Sequence, residues 1–258
     1  MSFTHKPEGR IAASGPVSAA EQAVRADLAA AYRLIALNGW DDLVYTHVSA
    51  AVPGEPGRFL INPFGLSFDE VCASNLVKID IAGNVIGASE HPVNATGFAL
   101  HAAVHDARAD AMCVMHLHVP DAISVSAQPQ GLLPASQHAM RFHGHLAYHG
   151  YEGLAFSPAE GKRLVASLGS HRAMLLRNHG PLTLGRTIAE AYVLMDMLVK
   201  ACGIQLRALA GETRLVVPSA EVVARTAEQL HDGDAVEGAL EWPALLRRLD
   251  RIDSSYRA

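Results

Sequence analysis

The stretch ALHAAVHDARADAMCVMHLH, residues 99–118, decides how the rest of the chain is read. It reads as a helix running into a strand, and the strand delivers His116 and His118 at a spacing of two. Residues two apart on a strand point to the same face, so this pair presents two imidazoles to one point in space. That is half of a metal site.

Working outward, the central helix spans about 96–108 and the strand 111–116. Upstream, a helix over 18–38 carries Val24, Leu28, Ala31 and Ile35 at helical spacing and stops at Gly39. Residues 43–52 and 58–62 read as a hairpin around the turn PGEPG, and 76–80 with 85–86 as a shorter one. Four Ser/Thr-x-x-Glu capping boxes mark helix starts at Ser18, Ser67, Ser157 and Thr187. Downstream, Pro120 opens a short helix to Ala127, and a loop-rich section with His138, His143, His145 and His149 runs to Phe156. A helix from Ser157, a strand over 173–177, the turn Asn178-His179-Gly180, a return strand over 181–185 and a long helix to about Ala210 follow. The segment 1–17 is expected to be flexible, 18–258 to form a single domain, and about 218–258 to be a helical appendage. Several strand pairs are joined too tightly for parallel crossovers, which predicts a mainly antiparallel or mixed sheet with helices on both faces.

With 50% hydrophobic and 18% charged residues, the 258-residue chain has material for a large core. A net charge of −5 without a long Lys/Arg run argues against nucleic acid as a partner and for a small molecule. No apolar run has the length of a signal peptide or a membrane span, so a cytoplasmic protein without a membrane partner is expected. Cys72, Cys113 and Cys202 sit apart in apolar sequence and read as reduced, buried thiols.

His179 sits in a turn between two apolar strands, an unusual place for a histidine unless it is held toward something. Three imidazoles without a cysteine partner suit a catalytic site with an open position, for which zinc fits best and iron, manganese or cobalt also serve. Lewis acidity beside a carbonyl makes C–C cleavage, decarboxylation or isomerisation accessible. His101 and His105, four apart on the central helix, read as helix-face or core histidines with hydrogen-bond partners.

The runs GWDDLVYTHVS (39–49), FLINPFGLSFDEVCASNLVKID (59–80), FALHAAVH (98–105), VMHLH (114–118), GLLPAS (131–136), LAYHGYEG (146–153) and RNHG (177–180) resemble the class II aldolase/adducin family. The wording of INPFG, GLLPAS and AYHGYEG is closer to the adducin head and its bacterial relatives than to the sugar-phosphate aldolases. The resemblance implies a three-layer α/β/α fold with a mixed, mostly antiparallel sheet, assembled as a homotetramer with the metal near a subunit boundary. It also implies a metal held by His116, His118 and His179. Where the aldolases place a catalytic Glu, this chain has Gly97, so the acid/base must come from elsewhere, with Glu152, His138, Tyr148 and Tyr151 as candidates. In place of the aldolases' phosphate-binding turns stand Thr46-His47, Asn62-Pro63-Phe64-Gly65 and Ala95-Thr96. Most small hydroxyl donors are gone, which points to a non-phosphorylated acid or aldehyde contacted at Asn62, Gly65 and Thr96. Adducin's long basic tail has no counterpart in these 258 residues. The expectation is a metal-dependent lyase, with a non-catalytic adducin-head-like binding module as the alternative.

Overall fold

The computed structural model describes residues 17–153, 157–211, 214–231 and 237–258. The chain enters through α1 (Ala19–Leu37), then the hairpin β1 (His47–Ala51) and β2 (Arg58–Ile61), a 3-10 turn (Phe68–Glu70) and β3 (Val77–Asp80). Helix α2 (Ala95–Ala107) leads into β4 (Cys113–His116), followed by α3 (Pro120–Ser126), α4 (Gln137–Met140) and β5 (Leu146–His149). Then come α5 (Pro158–Leu168), β6 (Ala173–Leu176), β7 (Gly180–Gly185), α6 (Ile188–Ala208), α7 (Ala220–His231) and α8 (Glu241–Ile252). The strands form a seven-stranded sheet in the order β3-β2-β1-β4-β7-β6-β5, antiparallel at every pairing except β5 with β6.

Strand alternation sorts the side chains into two buried layers. Val48, Ala50, Cys113, Met115, Ala173 and Leu175 pack with α1, α3 and α6 on one face. Val114, Met174, Leu176, Leu182 and Leu184 pack with α2 and α5 on the other. This is a three-layer α/β/α fold, as expected. The same alternation turns His47 and Ser49 of β1, and His116 of β4, toward α2; β1 and β4 pair with His47 opposite His116. The chemistry-bearing residues thus share the α2 face.

The helix starts follow their caps: Ser18, Ser157 and Thr187 each accept a hydrogen bond from the backbone three residues on. Such caps contribute about 1 kcal/mol each. At Ser67 the box starts only a single 3-10 turn.

Two expectations need correction. The strand expected from residue 43 begins at His47, because Leu43 and Thr46 adopt left-handed φ values of 54° and 67° that break extended pairing. The section read as loops contains α4 and β5, and β5–α5–β6 is a parallel crossover. Four residues flanked by glycines and histidines carry too short a pattern to announce a strand.

Of the segment 1–17, all but Val17 lies outside the described residues. The C-terminal residues reach back onto the α1 layer. Trp242 is buried against Tyr192 and donates its indole N–H to Asp27 Oδ1 at 3.1 Å, while the carbonyls of Tyr256 and Ala258 accept from the N–H groups of Ala73 and Ser74. Among the described residues no helix is long and apolar enough to cross a membrane.

Candidate metal centre

His116 ends β4, His118 lies two residues on, and His179 occupies the turn between β6 and β7. Asn178 holds that turn in the left-handed region at φ 59°, a conformation asparagine tolerates better than most residues. Gly180 lets β7 pass close to β4: a Cβ there would collide with the Leu117 carbonyl oxygen, and Leu117 N–H donates to Pro181 O at 3.2 Å. That close approach brings the three rings together. The Nε2 of His179 lies 3.3 Å from that of His116 and 3.1 Å from that of His118, and the three ligand atoms all lie within 4.8 Å of one another.

The ring orientations are fixed from behind. His116 Nδ1 donates to Pro181 O at 3.1 Å, and His118 Nδ1 to Asp42 Oδ2 at 2.9 Å. Both partners only accept, so each ring carries its proton on Nδ1 and turns an Nε2 lone pair inward. Burial lowers the proton affinity of His116 well below the ordinary imidazole value and that of His179 to about 4. In a tetrahedral site with bonds of 2.0–2.1 Å, nitrogens stand about 3.3 Å apart, close to the spacings here. A carboxylate behind a ligating histidine is the usual supporting contact of such sites. The donor set fits a divalent ion.

A second chain of groups lies beside this cluster. His47 Nδ1 is 2.8 Å from His101 Nε2, and His101 Nδ1 is 2.7 Å from Ser49 Oγ. Ser49 Oγ is 2.7 Å from His105 Nε2, and His105 Nδ1 is 2.8 Å from the Ala111 carbonyl. The ring centre of His47 stands 5.9 Å from that of His116. Gly97 is what makes room for it, because a Cβ at residue 97 would overlap the His47 ring. Desolvation lowers the proton affinities of His47, to about 3, of His101 and of His105, to about 4, keeping all three neutral. Just before His47, the buried Thr46 hydroxyl has no hydrogen-bond partner among the described residues.

The other expected site residues are distributed unevenly. Tyr151 is exposed at the edge of the cluster, its ring 6.1 Å from that of His179. Glu152 pairs with Arg163, which lowers its proton affinity, and lies 3.7 Å from His149. Tyr148 is tied down on β5, its hydroxyl accepting from Leu132 N–H at 2.9 Å under the Arg177 guanidinium. His138 is on α4, and among the described residues no hydrogen bond joins His138, Tyr148 or Glu152 to the three histidines. Asn62 is buried, its Oδ1 accepting from the Tyr32 hydroxyl at 2.9 Å. Gly65 takes a left-handed turn at φ 105°. Thr96 falls in the first turn of α2, with its side chain outside the described residues.

No role was expected of Asp42 or Ser49, and His47 was read only as standing in place of a phosphate-binding turn. The available signal was the THVS run, whose His and Ser share a strand face, beside His101 and His105 on one helix face.

Comparison with known proteins places this arrangement. The family described as Class II Aldolase and Adducin N-terminal domain matches residues 26–206. The crystal structure of an aldolase II superfamily protein from Pseudomonas syringae superposes with a TM-score of 0.91 at 49% identity, covering 94% of this chain and 98% of that one. L-fuculose 1-phosphate aldolase from Glaciozyma antarctica PI12 superposes with a TM-score of 0.83 at 28% identity, covering 95% and 97%. Alpha-adducin of Rattus norvegicus is 42% identical over 193 residues, which are 74% of this chain and 26% of the adducin.

Proposed function

Because this chain belongs to the family of the Class II Aldolase and Adducin N-terminal domain, we propose that it is a divalent-metal-dependent carbon–carbon lyase of aldolase or decarboxylase type. Its substrate is a small, non-phosphorylated hydroxy- or oxo-acid or aldehyde. The observation that carries this reading is the convergence of the His116, His118 and His179 Nε2 atoms, with two of the rings locked so that lone pairs face inward.

His116, His118 and His179 hold the ion, Zn2+ in the first instance, with Mn2+, Fe2+ or Co2+ as alternatives. When bound, the ion supplies Lewis acidity to a substrate carbonyl. Asp42 keeps His118 in its ligating tautomer. Tyr151, on the rim, is placed to meet substrate, and the start of α2 around Thr96 offers a further contact. Glu152, Tyr148 and His138 are assigned no part in the reaction on their present contacts. The case against a phosphorylated substrate is that most small hydroxyl donors are gone from the matching turns and that the Asn62 N–H is spent inside the fold on the Tyr32 hydroxyl. A homotetramer in the cytoplasm, with the metal near a subunit boundary, completes the reading.

The test is to load the protein with zinc, offer a panel of hydroxy- and oxo-acids and aldehydes, and follow cleavage products and CO₂ by mass spectrometry. Products of unchanged mass would indicate an isomerase instead.

A second reading, a non-catalytic adducin-head-like module, is favoured by Gly97 and by the likeness to alpha-adducin. His116→Ala separates the two: an enzyme loses turnover while staying folded, and a structural site loses stability or assembly.

A further inference from the structure

We propose that His47 is the proton-accepting residue of this site: its Nε2 is held as a bare lone pair beside the three-histidine cluster and takes the proton of a substrate hydroxyl. The inference rests on the metal-dependent lyase reading and narrows it to cleavage of a β-hydroxycarbonyl compound.

The hydrogen-bond chain behind His47 permits one arrangement of protons when its imidazoles are neutral. It begins at the Ala111 carbonyl, which only accepts, so His105 must donate from Nδ1 and its Nε2 must accept. Ser49 therefore spends its single hydroxyl proton on His105. The same oxygen then accepts from His101, which puts the His101 proton on Nδ1 and a lone pair on Nε2. That lone pair accepts from His47 Nδ1–H. The remaining nitrogen, His47 Nε2, is left with a lone pair and with no hydrogen-bond partner among the described residues, although His47 is only 5% exposed. Unlike the neighbouring Thr46 hydroxyl, this nitrogen is not among the fully buried unpartnered atoms, so a donor from outside can reach it.

Its position suits that donor. His47 and His116 face each other across β1 and β4 with ring centres 5.9 Å apart, and Nε2 is the ring atom turned toward the start of α2 at Gly97, beside the three-histidine cluster. Gly97 leaves the ring its room, since any larger residue would displace it.

The chemistry balances without a further reactant. The hydroxyl proton passes to Nε2, and the carbinol carbon becomes a carbonyl as its bond to the carbon beside the second carbonyl breaks. The electron pair of that bond stays on the latter carbon, and the proton held by His47 returns there, giving two carbonyl products. Decarboxylation needs no such acceptor, so the built lone pair favours the aldol-type reaction.

The test uses zinc-loaded full-length protein labelled with ¹⁵N-histidine. Nitrogen NMR, with His47→Gln to assign the signal, is expected to show His47 protonated at Nδ1 and bare at Nε2. In deuterated water the same protein is expected to exchange the α-hydrogens of at least one of hydroxyacetone, dihydroxyacetone and pyruvate. His47→Ala should slow that exchange by about 100-fold or more while binding as much zinc as wild type, and added imidazole should restore part of it. Zinc-bound wild type with a proton on His47 Nε2, with no exchange from any probe, or with exchange unchanged in His47→Ala overturns this inference alone. Protein that binds no zinc overturns the lyase reading and this inference with it.

Discussion

The imidazole of His47 fills the volume that any side chain at residue 97 would require, so the strand and the start of α2 are complementary through one histidine and one glycine. Gly97→Ala therefore forces the ring or the helix to move. Overpacking of this kind costs about 1–3 kcal/mol. Urea denaturation should show the loss in the single variant and recover much of it in His47→Ala/Gly97→Ala, with a coupling energy well above zero.

Asp42 and His118 form the support of the proposed ion. Asp42→Asn keeps the size of the side chain but removes the charge that holds His118 Nδ1–H. Losing such a partner lowers metal affinity about 10- to 100-fold. Competition with a chelator of known affinity measures this, and the fold should be unchanged because the Asp42 side chain is 45% exposed.

Acid should unfold the protein through its buried histidines. His105 has its proton affinity lowered from the ordinary 6.5 to about 4 by burial, and His47 to about 3. Between pH 6.5 and 4 the unfolded chain carries protons that the folded chain refuses, so stability falls as pH falls. Each unit of difference is worth about 1.4 kcal/mol per group. Melting temperatures taken across that window should drop steadily, and His105→Gln should flatten the slope.

The convergence of His116, His118 and His179 could be anticipated from the sequence, because His116 and His118 follow strand periodicity and His179 sits in a turn between two apolar strands. Helix starts were legible in the capping boxes at Ser18, Ser157 and Thr187, and the layering in strand pairs joined too tightly for parallel crossovers. What could not be read was the relay of His47, Ser49, His101 and His105. Its halves carry the right local spacings, two on a strand and four on a helix, yet they meet only because α2 packs over β1. The roles expected of Tyr148 and Glu152 depended on loops whose real contacts are Leu132 and Arg163. Residue type announces a proton carrier, but its partners decide whether it is available.

Tyr148→Phe provides a control for that distinction. Its hydroxyl accepts one backbone hydrogen bond, so removing it should cost about 1 kcal/mol of stability. Metal content and turnover should stay near wild type, measured side by side with the Tyr151→Phe variant, which should lose turnover.

The most direct measurement is the metal content of the purified protein, by mass spectrometry, next to His179→Ala prepared identically. The account predicts close to one divalent ion per chain in the wild type and loss of that ion in the variant, with both proteins folded. Protein that stays metal-free after incubation with zinc, manganese and iron contradicts it and turns the family likeness toward a binding role.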